Sequence, residues 1–135
     1  MAFVPWTDEM LLGIAKLDEQ HRWLVNCINE LHDELARPAP DRGIVGDILD
    51  GLLGYAMNHF LAEEELFQRY GYPQREAHHA AHNRFTARLF MLLEAHQAGG
   101  DVGADTLALL KDWITQHVLV EDKAFAPFLK ARGAE

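Results

Sequence analysis

Eight histidines occur in this chain of 135 residues, and their spacing is not that of a surface residue scattered at random. Residues 78–82 read HHAAH, residues 59–63 read HFLAE, His21 stands alone, and His117 opens the stretch HVLVEDKAF. Side chains four apart lie on one face of a helix, so His59 with Glu63, and His78 with His82, can each reach a single ion or a close pair of ions. His79 is rotated by about 100° from the face its neighbours share and should point to a flank or to solvent. Imidazole and carboxylate together suit a transition metal. A buried polar network without metal competes with this, but neutral imidazoles from several helices would have little to bond except one another. A structural zinc bundle is a second cation-binding alternative.

The elements that must position these groups can be read from apolar seams and their stops. The first seam runs Leu17, His21, Leu24, Ile28, Leu31, Leu35 and ends at RPAPDRG, whose prolines and glycine break a helix. Asp41 can cap the second helix, whose seam is Ile48, Leu52, Tyr55, His59, Glu63, Leu66, Tyr70, with Gly71 closing it. Pro73 suits the first turn of a third helix, with seam positions His78, His82, Phe85, Leu89, Leu92, His96, ending at AGGDVGAD. Asp105 would cap a fourth, seamed by Leu107, Leu110, Ile114 and His117. The expectation is an all-α fold, an antiparallel up-down-up-down four-helix bundle with an N-terminal arm. It forms one domain over 1–135, with the arm at 1–17 and helices at about 18–37, 41–70, 73–98 and 105–126.

Bundle order then sets heights. The first and third helices start at the end where the second and fourth finish, so His21, His59, Glu63, His78, His82 and His117 converge on one end. His32 shares a face with His21 but lies roughly 16 Å further down, and His96 lies roughly 21 Å past His82, at ~1.5 Å per residue. Both are expected to be satisfied structural histidines away from the cluster.

The fourth helix offers two acids, Glu121 four residues after His117 and Asp122 five after it. Regular spacing selects Glu121, since Asp122 is turned about 140° away. The apolar residues beyond favour the other phase, because Asp122, Phe125 and Leu129 continue a seam. A one-residue slip of this kind is what a π-bulge produces, and such bulges are frequent at functional sites. Periodicity leaves both acids open.

Composition excludes several partners. A formal charge of −9 does not supply the clustered Lys and Arg that phosphate contacts need, so no nucleic acid is expected. No apolar run approaches the roughly 18 residues of a membrane span. The start, MAFVPWTDEMLLG, lacks the basic and apolar regions of a signal peptide, which places the protein in the cytoplasm. Cys27, the single cysteine, reads as a small buried apolar residue, and Trp6 and Trp23 as packing residues.

The order of a lone His21, HFLAE, His78 and His82 after GYP, then WITQHVLVED resembles the hemerythrin family, specifically its single-domain bacterial members. That family's motifs are a lone His, HxxxE, HxxxH and HxxxxD, all present in order between Trp6 and Phe125; LDEQH at 17–21 and YP at 72–73 are also similar. The resemblance selects Asp122 over Glu121 and implies a non-haem di-iron centre with a bridging oxide or hydroxide. His78, His82 and His117 would hold one iron, His21 and His59 the other, and Glu63 and Asp122 would bridge both. Filling two octahedral irons this way leaves a single open position, on the iron held by two histidines. The expected function is reversible dioxygen binding for storage, delivery or scavenging, without catalysis. Nitric oxide is a second candidate ligand, no protein partner is identified, and Trp113, Ile114 and Val118 are the candidates for apolar pocket walls. The alternatives are an oxygen or nitric oxide sensing module and a di-iron oxidase or reductase.

Overall fold

The computed structural model describes residues 3–134; residues 1, 2 and 135, the extreme ends of the expected arm and domain, lie outside the described residues. Helix α1 (Ala15–Leu35) is followed by α2 (Arg42–Tyr70), α3 (Arg75–Gln97) and α4 (Gly103–Asp112). From α4 the chain passes without a break into a π-helical segment (Trp113–Asp122) and on into α5 (Lys123–Ala131). The last three segments form the fourth rod of the expected bundle, with α1 packed on α2 and α4, and α3 on α2 and α4. No described helix is long and apolar enough to cross a membrane.

Local chemistry explains where each helix stops. Arg37 precedes Pro38, which disfavours helical backbone, so α1 ends at Leu35 rather than 37. The loop that follows is fastened by the buried Glu34 carboxylate, which accepts from the Arg37 guanidinium (3.2 Å) and from the Asp41 backbone N–H (3.1 Å). Asp41 caps α2 as expected, its Oδ1 accepting from the backbone N–H groups of Gly43 (2.8 Å) and Ile44 (3.2 Å). Gly71 closes α2 at φ 69°, and the Tyr72 N–H reaches back to the Phe67 carbonyl (2.9 Å).

Three expectations at helix termini are corrected. Pro73 lies in the connecting turn, not inside α3, which begins at Arg75. Asp105 is not a cap: the helix starts two residues earlier at Gly103, leaving Asp105 in the first turn, where its charge suits the helix dipole. The fourth rod also continues past 126 to Ala131, with Pro127 inside α5.

The arm is held by side chains rather than by its own backbone. Asn29 pairs with Val4 through both amide groups (2.7 and 2.8 Å), and Asp18 accepts from the N–H groups of Leu12 (2.7 Å) and Gly13 (3.1 Å). That second contact starts α1 at Ala15 and ends the arm sooner than 17. Val4, Met10, Leu12 and Ile14 are buried beneath it. Trp23, by contrast, stacks on Tyr55 at the surface (3.9 Å).

Several seam positions shift by one residue. Leu49, Ala56 and Phe67 are buried beside the half-buried Ile48, Tyr55 and Leu66, Leu93 is buried beside Leu92, and Val45 is buried ahead of the expected seam. The buried apolar residues form two clusters. One contains Leu24, Phe60, Phe85 and Val118, and the other Leu17, Phe67, Phe125 and Leu129. Between Leu17 and Leu24 lies His21, between Phe60 and Phe67 lies Glu63, and between Val118 and Phe125 lies Asp122. A polar layer therefore divides the core.

Asp41→Ala leaves two orphan N–H groups at the start of α2 and should lower stability by about 1 kcal/mol, read as an earlier urea unfolding midpoint with an unchanged slope.

Candidate metal centre

All seven residues singled out for the centre are buried and meet in the layer between the two apolar clusters. α1 brings His21, α2 brings His59 and Glu63, α3 brings His78 and His82, and the π segment brings His117 and Asp122. The helical pairs present one face each, and ring centroids of His78, His82 and His117 are 4.4 to 5.1 Å apart. His21 and His59 form a separate pair at 4.5 Å, their Nε2 atoms 2.9 Å apart.

The carboxylates divide themselves between these two groups. Glu63 places Oε1 3.0 Å from His82 Nε2 and 3.5 Å from His78 Nε2, while its Oε2 is 3.1 Å from His59 Nε2 and 3.6 Å from His21 Nε2. Asp122 places Oδ1 2.9 Å from His78 Nε2 and 3.1 Å from His117 Nε2, and Oδ2 3.2 Å from His21 Nε2. Two sets of donor atoms result, Glu63 with His78, His82 and His117, and His21 with His59, Glu63 and Asp122. Each set lies within 4.8 Å and could hold one cation.

The π segment settles the choice between the two acids. Hydrogen bonding from i to i+5 brings residues five apart onto one face, so Asp122 turns inward beside His117. Glu121 turns outward, its side chain 52% exposed, and its Oε2 sits 2.6 Å from His117 Nδ1. The slip anticipated as a single bulge extends over the whole stretch from Trp113 to Asp122.

The donor atoms are unsatisfied as they stand. Both oxygens of Glu63 and of Asp122, and Nε2 of His78, His82 and His117, are buried without a hydrogen-bond partner despite their proximity. Buried polar atoms are normally paired, so orphans gathered at two points mark places where a cation belongs. Their types, imidazole nitrogen and carboxylate oxygen, suit iron.

Charge is distributed accordingly. Burial opposes the charged form of His21 and His78, but Asp122 and Glu63 prevail and raise both to about 9. Burial likewise works against ionised Glu63 and Asp122, and the surrounding histidines hold both below the ordinary carboxylate range. His82 is lowered, chiefly by burial. With no cation, two protons stand in for part of the positive charge the acids demand.

Several residues support the ligands, and of these the sequence had singled out only Trp113, as a pocket wall. Gln20 Oε1 accepts from His59 Nδ1 at 2.6 Å, which aims Nε2 into the centre. Phe60 stacks on His82 (3.9 Å, 5°), and Trp113 stacks on His117 (3.7 Å, 15°). Glu64 contacts His79 and faces His82 Nδ1 at 3.9 Å. A neighbouring ligand in sequence was the only hint for Gln20 and Glu64. Of the pocket candidates, Ile114 and Val118 are buried in the larger apolar cluster, and Trp113 packs against it.

The remaining histidines behave as their positions require. His79 is 57% exposed and contacts Glu64 and Asn83. His96 lies at the far end, its Nε2–H donating to the Arg42 carbonyl (2.9 Å), and His32 stacks on Phe3 (4.6 Å).

Comparison with known proteins agrees with this geometry. The family model described as Hemerythrin HHE cation binding domain matches residues 12–129. The bacteriohemerythrin of Stenotrophomonas maltophilia is 35% identical over 97% of this chain and 84% of its own length. That of Methylococcus capsulatus is 33% identical over 97% of this chain and 100% of its own. The crystal structure of wild-type hemerythrin superposes with a TM-score of 0.87 at 32% identity, covering 95% of this chain and 98% of that one. With the family model spanning nearly all of the bundle and full-length relatives sharing a third of their residues, the chain belongs to the hemerythrin family.

Proposed function

We propose that this protein binds dioxygen reversibly at a non-haem di-iron centre, as a store, carrier or scavenger of oxygen rather than as an enzyme. The observation that carries the reading is the division of each buried carboxylate, Glu63 and Asp122, between two separate groups of histidines. A single structural zinc has no use for that arrangement, whereas two cations side by side do. His78, His82 and His117 would hold one iron, His21 and His59 the other, and the two acids would bridge them. When bound, the iron pair supplies a site at which dioxygen can be reduced and released again.

The donor count supports binding over catalysis. Catalytic di-iron bundles are rich in carboxylates, with Glu-x-x-His motifs on two helices, and leave several positions open. With a shared oxide or hydroxide, five neutral imidazoles and two bridging acids leave room for one small ligand, next to His21 and His59. Nitric oxide, a diatomic of similar size, is the competing ligand for that position.

The chain's own contribution is orientation and dryness. Gln20 fixes the His59 ring and Glu121 the His117 ring, each by a contact of 2.6 Å to Nδ1. Ile114, Val118, Phe60 and Trp113, all in or packed against the apolar cluster on one side of the layer, keep water and its protons away from the ligand. The relatives' shared designation, bacteriohemerythrin, is consistent with this reading.

Anaerobically reduced, iron-loaded protein should develop a visible absorption band on exposure to air and lose it again on deoxygenation, with about two irons per chain throughout. Irreversible oxidation with release of peroxide would overturn the carrier reading in favour of an oxidase. His79→Ala should keep full iron content because the side chain faces outward, while His78→Ala and Asp122→Ala should lose iron. Glu63 and Asp122 raise His21 and His78 to about 9, and metal binding at these imidazoles requires their deprotonation. Calorimetric titration with ferrous iron near neutral pH, in buffers of different ionisation enthalpy, should therefore register net proton release, from these histidines and from any water that becomes the bridging hydroxide.

A further inference from the structure

Every imidazole in the centre has a second nitrogen, and what stands behind those nitrogens differs from one side to the other. Behind His117 is a carboxylate, Glu121, with Oε2 2.6 Å from Nδ1. On the same side Glu64 Oε2 lies 3.9 Å from His82 Nδ1, beyond hydrogen-bond reach, and that nitrogen is buried without a partner among the described residues. On the other side His59 Nδ1 meets the neutral amide oxygen of Gln20 at 2.6 Å, and the buried Nδ1 of His21 has no hydrogen-bond partner. Glu121 is therefore the carboxylate bonded behind the group of His78, His82 and His117, with Glu64 a more distant charge on the same side, and among the described residues no carboxylate backs His21 or His59.

We propose that this uneven backing separates the redox potentials of the two metal positions, making the three-histidine position the more easily oxidised and leaving the two-histidine position the more reducible. The inference rests on the di-iron reading above. An imidazole whose far N–H is donated to a carboxylate is a more basic ligand and carries negative charge toward the metal, which favours the ferric over the ferrous state. An amide acceptor fixes the same ring in the same orientation without the charge. Gln20 and Glu121 are thus matched in geometry and unmatched in electrostatics, and each acts through a histidine as a positioning residue.

The magnitude is limited by exposure. Glu121 is 52% exposed, so water screens part of its charge, although His117 itself is buried. An effect of about tenfold in the ferric to ferrous ratio, about 59 mV for a one-electron couple, is the expected scale.

Spectroelectrochemical titration of the iron-loaded protein under anaerobic conditions tests this. The electrode removes one electron from the ferrous pair to give one ferric and one ferrous ion, then a second electron from the remaining ferrous ion, so two midpoints are read. Glu121→Gln keeps an oxygen acceptor for His117 Nδ1 and deletes only the charge, so the first midpoint should rise. Gln20→Glu adds charge behind His59, so the second midpoint should fall. Read on iron-replete protein, both variants should bring the midpoints closer together by about tenfold in relative ratio, about 59 mV. Because Glu121 lies at the surface, its variant provides the test even where the half-buried Gln20→Glu destabilises the fold. An unchanged or wider separation in the iron-replete Glu121→Gln variant would overturn the proposal. A wild-type chain that fails to take two irons would instead overturn the di-iron reading.

Discussion

Glu63 and Asp122 hold two carboxylates where solvent does not reach, each 0% exposed, and most of the architecture follows from having to compensate them. Removing a charged carboxylate from water costs several kcal/mol unless partners replace its hydration. No single helix can supply enough partners, because one face offers a residue only every three or four positions. Four helices must therefore deliver histidines at one height, and the short connections from α1 through α4 make that registry hold. Leu17, Phe67 and Phe125 close the layer on one side and Leu24, Phe60 and Val118 on the other, keeping it dry. A fully apolar layer would pack more simply. What the polar layer adds is a pair of points at which unsatisfied donor atoms converge.

The π segment is where this demand overrides local preference. An α-helix through HVLVED would turn Glu121 inward and leave Asp122 on the flank. The wider winding reverses them, so that one imidazole, His117, meets Asp122 at Nε2 and Glu121 at Nδ1. It also keeps Phe125 and Leu129 buried in the smaller cluster after the slip. Poorer helical geometry at this position is thus tied to the placing of two acids at once, one bridging and one backing.

Much of this was legible along the chain. The HxxxE and HxxxH spacings placed pairs on shared faces, bundle order set their heights, and helical phase separated the exposed His79 from the buried His78 and His82. The same arithmetic placed His96 far from the cluster, where it bonds to the Arg42 carbonyl. Apolar seams were less reliable, with Ala56 buried beside Tyr55 and Leu93 beside Leu92. A half-buried flank position and a buried one differ there by a rotation smaller than the pattern resolves. Arm and loop anchors such as Asn29, Asp18 and Glu34 left no trace either, since each bonds to backbone and any nearby polar residue would look the same in sequence.

The sequence by itself therefore determined the donor types, their helical faces and their approximate level, all of which follow from short spacings on one regular helix. Periodicity left the choice between Glu121 and Asp122 open and the family motif chose Asp122; only the tertiary structure decided how each carboxylate splits its oxygens and which group stands behind each imidazole. Gln20 and His59 are 39 positions apart, and their contact depends on how α1 lies against α2. Glu64 and His79, 15 apart, depend on how α2 lies against α3. Such pairings arise from packing between helices, where a rotation of a fraction of a turn exchanges one neighbour for another, and no periodicity within a single segment encodes that rotation.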